Sequence, residues 1–317
     1  MKKRALLLVP AIIGCLFAPA CSINKMAINA VSNALTGDGS SDVFTGDSDP
    51  ELVGDALPFA IKMYESLLSA NPKHQGLMLT TGSLFIMYSN AFVQGPADML
   101  PRSMYTEREQ AKERAKKLYL RGVEILYRAL ELKYPGFTGS FQSGELPEKL
   151  AKMKKADVPY LYWAAAGGLS AYSLNPFDLD LGIRISEFYA LVSRAYELDP
   201  DFNSGALDDF LFLFYASVPQ AMGGDKEKAE IHYHRALEKS NGKLAGPYVS
   251  YAQAVSIPAQ DYDTFKELLE TALSIDPDEV PQNRLVNVMA QRKAQYLLDN
   301  AILYFVDFDL DDDWDDD

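Results

Sequence analysis

Side chains able to do chemistry are sparse in this chain. Its three histidines are His74, His232 and His234. The last two stand two residues apart on a predicted helix, so they point to different sides and cannot share a metal ion. His74 falls in the turn after Pro72, and all three read as solvated or core-edge histidines. The two cysteines, Cys15 and Cys21, are too few for a Cys-ligated zinc or iron–sulfur centre. No nucleophile elbow, phosphate-binding glycine loop, zincin motif or dinucleotide fingerprint is present. Acidic residues are plentiful, but none is read as an isolated pair in an apolar context. Gly167-Gly168 sits inside an apolar helical stretch and indicates close helix packing, not phosphate binding. The aspartate-rich end from Asp307 lacks the glycine turn and terminal glutamate of an EF-hand loop, and like charges in a block read as a solvated, disordered tail. The chain reads as a non-enzyme without metal or cofactor.

Cys21 carries one distinct chemistry. Lys2, Lys3 and Arg4 precede 13 apolar residues, Ala5 to Phe17, and then Ala18-Pro19-Ala20-Cys21-Ser22. A charged head, a short apolar run and a small-residue exit form a secretory signal, too short to span a bilayer. The cysteine directly after Ala20 resembles a bacterial lipoprotein box, whose cysteine becomes the acylated first residue. Residues 1–20 are then the signal, and residues 21–54 a lipidated N-terminus with a short helix and a tether. Ser22 after the cysteine favours the outer membrane by the enterobacterial sorting rule. Loss of the three basic residues takes the formal charge from −14 to −17, and eight of those charges lie between Asp307 and Asp317. Such a surface disfavours nucleic acid as a partner. No later stretch reaches 18 apolar residues, so no transmembrane helix is expected after the signal.

The elements that position the remaining residues are helical. Residues 22–36 form an amphipathic helix with Ile23, Met26, Ala27, Val31 and Leu35 on one side, and the Gly/Ser/Asp-rich 37–50 reads as a tether. From there to about Phe305 the 3.6-residue period dominates, giving a helical domain over residues 55–305 and a tail over 306–317. Five helix endings resemble one another: YESLLSANP (64–72), LYRALELKYP (126–135), VSRAYELDP (192–200), YHRALEKSN (233–241) and LETALSIDP (268–277). Proline stops four of them, because it lacks a donor and clashes with the preceding turn. The pattern is that of tetratricopeptide repeats, helix pairs of about 34 residues. The last two endings are 36 residues apart and the pair before 41, whereas the earlier gaps of 63 and 65 predict an intervening degenerate helix pair in each. The fold class is therefore all-α, a tetratricopeptide-like α-solenoid with degenerate repeats. Its long capping helix, Gln282–Phe305, has Leu285, Met289, Tyr296, Leu297 and Ile302 dry, and Gln291, Arg292, Lys293, Gln295 and Asp299 wet.

Eighteen tyrosines and sixteen phenylalanines cluster in residues 158–177, 210–219 and 246–254. Aromatic surface with a few hydroxyls is the usual lining of a small-molecule pocket. The competing reading is solenoid core.

With the lipoprotein signal, the degenerate repeats, YLYWAAAGG after a proline, and MGGDKEKAEIHYHRALEKSNGKLAGPYVSYA, the mature chain from Cys21 to about Phe305 resembles one family. It is the T component of tripartite ATP-independent periplasmic (TRAP) transporters, the TatT-type lipoproteins. The resemblance implies a periplasm-facing lipoprotein that associates with a TRAP solute-binding protein, holds hydrophobic ligand in a cleft or pore, and self-associates as a homotrimer. Tyr160, Tyr162, Trp163 and Tyr172 are the expected lining residues and Cys21 the lipid anchor. The Asp-rich tail departs from the family, and Gly167-Gly168 stands where bulkier residues are expected after the Tyr-Trp pair. The alternative is a repeat lipoprotein scaffold that grips a peptide or an envelope assembly machine and holds no small molecule.

Overall fold

The computed structural model describes residues 20–37 and 42–306; residues 1–19 of the expected signal and the aspartate-rich tail lie outside the described residues. Among the described residues the chain is helical with no strand. The long helices are α1 (Ala20–Leu35), α2 (Pro50–Ala70), α3 (Gln75–Tyr88), α4 (Tyr105–Lys133), α5 (Val158–Leu174), α6 (Ile185–Leu198), α7 (Ala206–Ser217), α8 (Lys226–Ser240), α9 (Gly246–Tyr251), α10 (Tyr262–Ser274) and α11 (Arg284–Asp299). Polar side chains start several of them by accepting orphan backbone N–H groups. Asp49 accepts from Leu52 ahead of α2, Asp225 from Glu227 and Lys228 ahead of α8, and Asp261 from Thr264 ahead of α10. His74 caps α3: its Nδ1 accepts from Leu77 N–H at 3.0 Å, so Nε2 carries the proton and donates to Asn33 Oδ1.

The five sequence endings coincide with the ends of α2, α4, α6, α8 and α10. Pro58 lies inside α2 without ending it, and two further prolines also fail to stop their helices. Ahead of Pro96 and Pro258 the chain widens into π-turns, Ser89–Gln94 and Ala252–Ser256, with Gly95 N–H on Asn90 O and Ile257 N–H on Ala252 O. The wider turn changes hydrogen-bond register before the residue that cannot donate, and the helix runs on. In this way α3 continues to Asp98. The stretch Gln75–Asp98 is, against the sequence reading, long and apolar enough to cross a membrane by length and composition. Half of that window is buried, and the helix packs between α2, α4 and α5, as a core helix does.

No extra helix pair lies in the 63-residue gap between Pro72 and Pro135. It holds α3 and α4 alone, lengthened to fill it. The 65-residue gap holds α5 and α6, and its surplus goes into short turns at Ser140–Ser143, Leu146–Ala151 and Leu179–Ile183. Spacing alone could not distinguish a missing repeat from a longer helix.

Chain neighbours pack against one another from α2 to α11. Side-chain-free positions set the closest crossings: a Cβ on Gly122 would sit 2.7 Å from Gly82 O, and one on Gly168 2.4 Å from the Phe188 ring. The doublet Gly167-Gly168 thus serves helix contact, as its sequence context implies.

The last helix then returns to the first. Leu285 of α11 is buried in one core cluster with Val53, Leu57 and Ile61 of α2, and Met289 packs against it. Arg292 grips the Glu51 carboxylate with both Nη atoms, and Arg284 Nη1 donates to Gly46 O at 2.7 Å. So α11 is a closing element and not a free cap, and it is shorter than the expected Gln282–Phe305. Its predicted wet side is a set of fasteners: Gln291 Nε2 donates to the carbonyls of Ala272, Leu273 and Ile275 at the end of α10. Asn287, almost fully buried, accepts from Ala245 N–H and donates to Lys243 O. Ile302, expected to be dry, is half exposed.

Helix α1 also differs from its amphipathic reading. It docks through Leu35, which packs against the N-terminal core as expected, and through polar atoms, with Asn29 on Asn71, Asn33 on His74 and the Leu35 carbonyl on the Tyr64 hydroxyl, while Val31 faces solvent.

A candidate ligand recess between the helices

Helix α5 turns one side of its aromatic run toward α7. The Tyr162 ring lies 5.2 Å from Trp163, 5.3 Å from Phe202 and 6.4 Å from Phe210. All four stay partly accessible while packing against the main core, so they form a partly open aromatic surface. The Tyr162 hydroxyl has no hydrogen-bond partner among the described residues, and burial raises its pKa, so it stays a neutral donor.

The remaining expected lining residues diverge. Tyr160, two positions before Tyr162, projects to another side of α5, where it packs against the N-terminal core as well as the main one. Burial, then the nearby Asp157 charge, push its phenol up to about 12. Tyr172 stands ten residues, roughly 15 Å, further along the same helix. Tyr162 and Trp163 come together; Tyr160 and Tyr172 do not join them. Cys21 lies in the first turn of α1.

The residue that sequence reasoning missed is on α7. Contrary to expectation, Asp208-Asp209 is an acidic pair in an apolar context, opening ALDDFLFLFYAS. Successive helical residues point about 100° apart, and the two carboxylates meet opposite fates. Asp208 is wholly buried, with His232 Nδ1 at 2.7 Å and Lys239 Nζ at 2.8 Å. Burial raises its pKa, but those two partners outweigh it and hold the carboxyl below the ordinary range. This trio pins α7 to α8, with His232 stacked on Tyr215 at 5.6 Å. Asp209, partly accessible as a residue, has no hydrogen-bond or ion-pair partner among the described residues, and its Oδ1 is fully covered. Burial alone pushes its carboxyl up to about 6. An acidic doublet at the start of an otherwise apolar helix was the available signal, since at least one member must face the interior.

A second unpaired charge lies where the array closes. Lys293 Nζ sits 5.5 Å over the Tyr296 ring with no ion pair among the described residues. Burial holds its ammonium below the ordinary lysine range, with Asp98 opposing that shift and Lys112 adding to it. Among the described residues no three His, Cys, Asp or Glu side chains gather as metal ligands.

The sequence model of the TRAP transporter T-component family matches residues 46–305, most of the chain. The chain belongs to this family. It is also 35% identical over 312 residues to an uncharacterized protein of Treponema pallidum (strain Nichols), covering 94% of this chain and 97% of that one. Membership gives this T-component a role in TRAP transport and a membrane-associated setting, in a family of transporter parts and not of enzymes. The matched region takes in every helix from α2 to α11.

Proposed function

We propose that this T-component is a periplasm-facing lipoprotein, anchored through acylated Cys21, that docks the solute-binding protein of a TRAP system and handles a small apolar ligand. Its array is read as degenerate tetratricopeptide pairs, α3 with α4 through α9 with α10. The outer membrane is the favoured location, and a homotrimer the favoured assembly. The observation that carries the ligand reading is the partly accessible aromatic set Tyr162, Trp163, Phe202 and Phe210 between α5 and α7. Rings that served only as core would be sealed, as Phe188 and Phe212 are. An apolar solute loses about 25 cal/mol for each Å² of apolar surface returned to water, so a dry route between two proteins lowers the barrier to transfer.

Retention of ligand tests this reading. Residues 22–317, purified and extracted into organic solvent, should release a small apolar molecule at a fixed molar ratio. Tyr162→Ala combined with Phe210→Ala should cut that ratio severalfold while the circular dichroism stays helical. A protein that releases nothing, or the same amount from both forms, would favour the scaffold without a ligand.

A further inference from the structure

The net charge of −14 hides one basic edge. The connection between α4 and α5 carries Lys149, Lys152, Lys154 and Lys155 within a seven-residue stretch that contains no acid. Its backbone is held in place. Leu146, Leu150 and Met153 are buried, and Arg194 donates to the carbonyls of Leu150 and Met153 at 3.0 and 3.1 Å. The lysines between these fixed points therefore face outward. Lys152 and Lys154 are exposed and have no ion pair among the described residues. Lys149 donates to Pro135 O at 2.6 Å, and Lys155 pairs with Asp199 at 3.1 Å. Of the nearby acids, Asp157 is buried against Lys133 and Tyr134, and Glu131 accepts from the N–H groups of Gly136 and Thr138. Glu145 and Glu148 stay exposed, fewer than the ammonium groups beside them.

The N-terminal helix is bound at the same end of the array. Helix α1 docks on the α2–α3 turn, through Asn29 on Asn71 and Asn33 on His74. Lys73, in that turn, is exposed and has no ion pair among the described residues. The turn lies beside the end of α4, where Gln75 Nε2 donates to Ala129 O at 3.2 Å. Lys133, the last residue of α4, in turn reaches Asp157, which directly precedes α5. Cys21 stands eight residues before Asn29 in α1, about 12 Å at 1.5 Å per residue. Tyr105, at the opposite end of α4, is about 42 Å from Lys133 by the same measure. A membrane that takes up an acyl group on Cys21 therefore lies nearest the lysine end of the array.

We propose that Lys73, Lys149, Lys152, Lys154 and Lys155 form a membrane-contact edge that rests on anionic lipid headgroups and sets the orientation of the array. This depends on the lipid-anchor reading above and adds to it. Attraction to headgroups acts within about 8 Å at physiological salt, so the edge has to be kept close to the bilayer. Helix α1 does this, because its hydrogen bonds to the α2–α3 turn hold anchor and edge together. One acyl chain alone binds a membrane weakly, and a basic patch supplies the second attachment. Leu132, exposed next to Lys133, adds an apolar contact at the same edge. The exposed Phe177 and Leu179, beyond the other end of α5, then face away from the membrane.

Residues 22–317 contain no cysteine, so Ala151→Cys carries one fluorophore at the edge and Leu179→Cys one at the far end. An N-terminal hexahistidine segment on nickel-chelating lipid replaces the acyl anchor. Energy transfer to a headgroup-labelled lipid is read on vesicles of phosphatidylcholine, alone or with one-third phosphatidylglycerol. With phosphatidylglycerol, transfer from position 151 should exceed transfer from position 179 at least threefold. That ratio should fall at least twofold without phosphatidylglycerol, at about 0.5 M salt, and in the triple variant Lys73→Gln, Lys152→Gln, Lys154→Gln. Lys117→Gln with Lys226→Gln, two exposed lysines elsewhere on the array, should leave it unchanged. Equal transfer from the two positions would overturn the assignment. So would a ratio indifferent to phosphatidylglycerol or to the triple variant, or one lost equally with Lys117 and Lys226. Mass spectrometry of the full chain and its Cys21→Ser variant, made in a bacterial host, tests the anchor separately. An acylated Cys21 without the oriented edge refutes the edge and leaves the anchor reading standing. An unmodified Cys21 removes that reading, and the membrane-contact edge with it.

Discussion

Asp209→Asn should make the protein more stable at neutral pH, by about 2–3 kcal/mol, because burial makes the native carboxylate costly to ionise. The sign follows from linkage. Burial raises the native carboxyl from 3.8 to about 6, so between those values the native state holds a proton that the unfolded chain has released. Wild-type stability therefore falls as pH rises through that window, and the penalty is complete above pH 6. Asparagine keeps the shape and removes the charge. The gap between variant and wild type should be close to zero below pH 4, open between pH 4 and 6, and stay constant above. Urea unfolding at pH 4, 5, 6 and 7.5 measures it, and a variant that is less stable at pH 7.5 would show that Asp209 has a structural partner.

The opposite behaviour is expected at Arg184. Glu187 is almost fully buried between α4 and α6, where its carboxylate accepts from Tyr127 Oη at 2.8 Å and from Arg184 Nε at 2.7 Å. The Arg184 guanidinium lies 5.2 Å from the Tyr127 ring and 4.9 Å from Phe188. Arg184→Ala removes the counter-charge and leaves Glu187 buried with one neutral donor, a loss of about 3–5 kcal/mol. The double variant Arg184→Met with Glu187→Leu removes the buried charge altogether and should recover most of that loss. Denaturant midpoints of the three proteins decide the matter. A single variant within 1 kcal/mol of wild type would mean that water reaches Glu187 and that the pair is not buried in solution.

These two sites also mark what the sequence could and could not reveal. Helix endings were readable because a proline or an Asn in the left-handed region acts locally: Asn241, with φ 51°, ends α8 where the pattern places it. The glycine doublet was readable because glycine inside an apolar helix has few uses other than close approach. The length of α3 was not, since whether Pro96 stops a helix depends on a π-turn formed before it. The closure by α11 was invisible, because Arg292 and Gln291 look like solvent-facing residues until Glu51 and the end of α10 are brought beside them. Of the expected lining residues, Tyr162 and Trp163 share one ring cluster, while Tyr160 packs on another side of α5 and Tyr172 stands further along it. Asp209 was overlooked among many acids. Its distinction is the missing partner, a three-dimensional property that composition cannot carry.

The central claim is that this T-component acts on the solute-binding protein of its transporter. The most direct measurement is native mass spectrometry of residues 22–317, alone and mixed with a candidate TRAP solute-binding protein. The account predicts a complex of fixed stoichiometry, carrying small-molecule mass when the solute is supplied. A ligand-free species that ignores every such partner would contradict it and leave a repeat-built scaffold in its place.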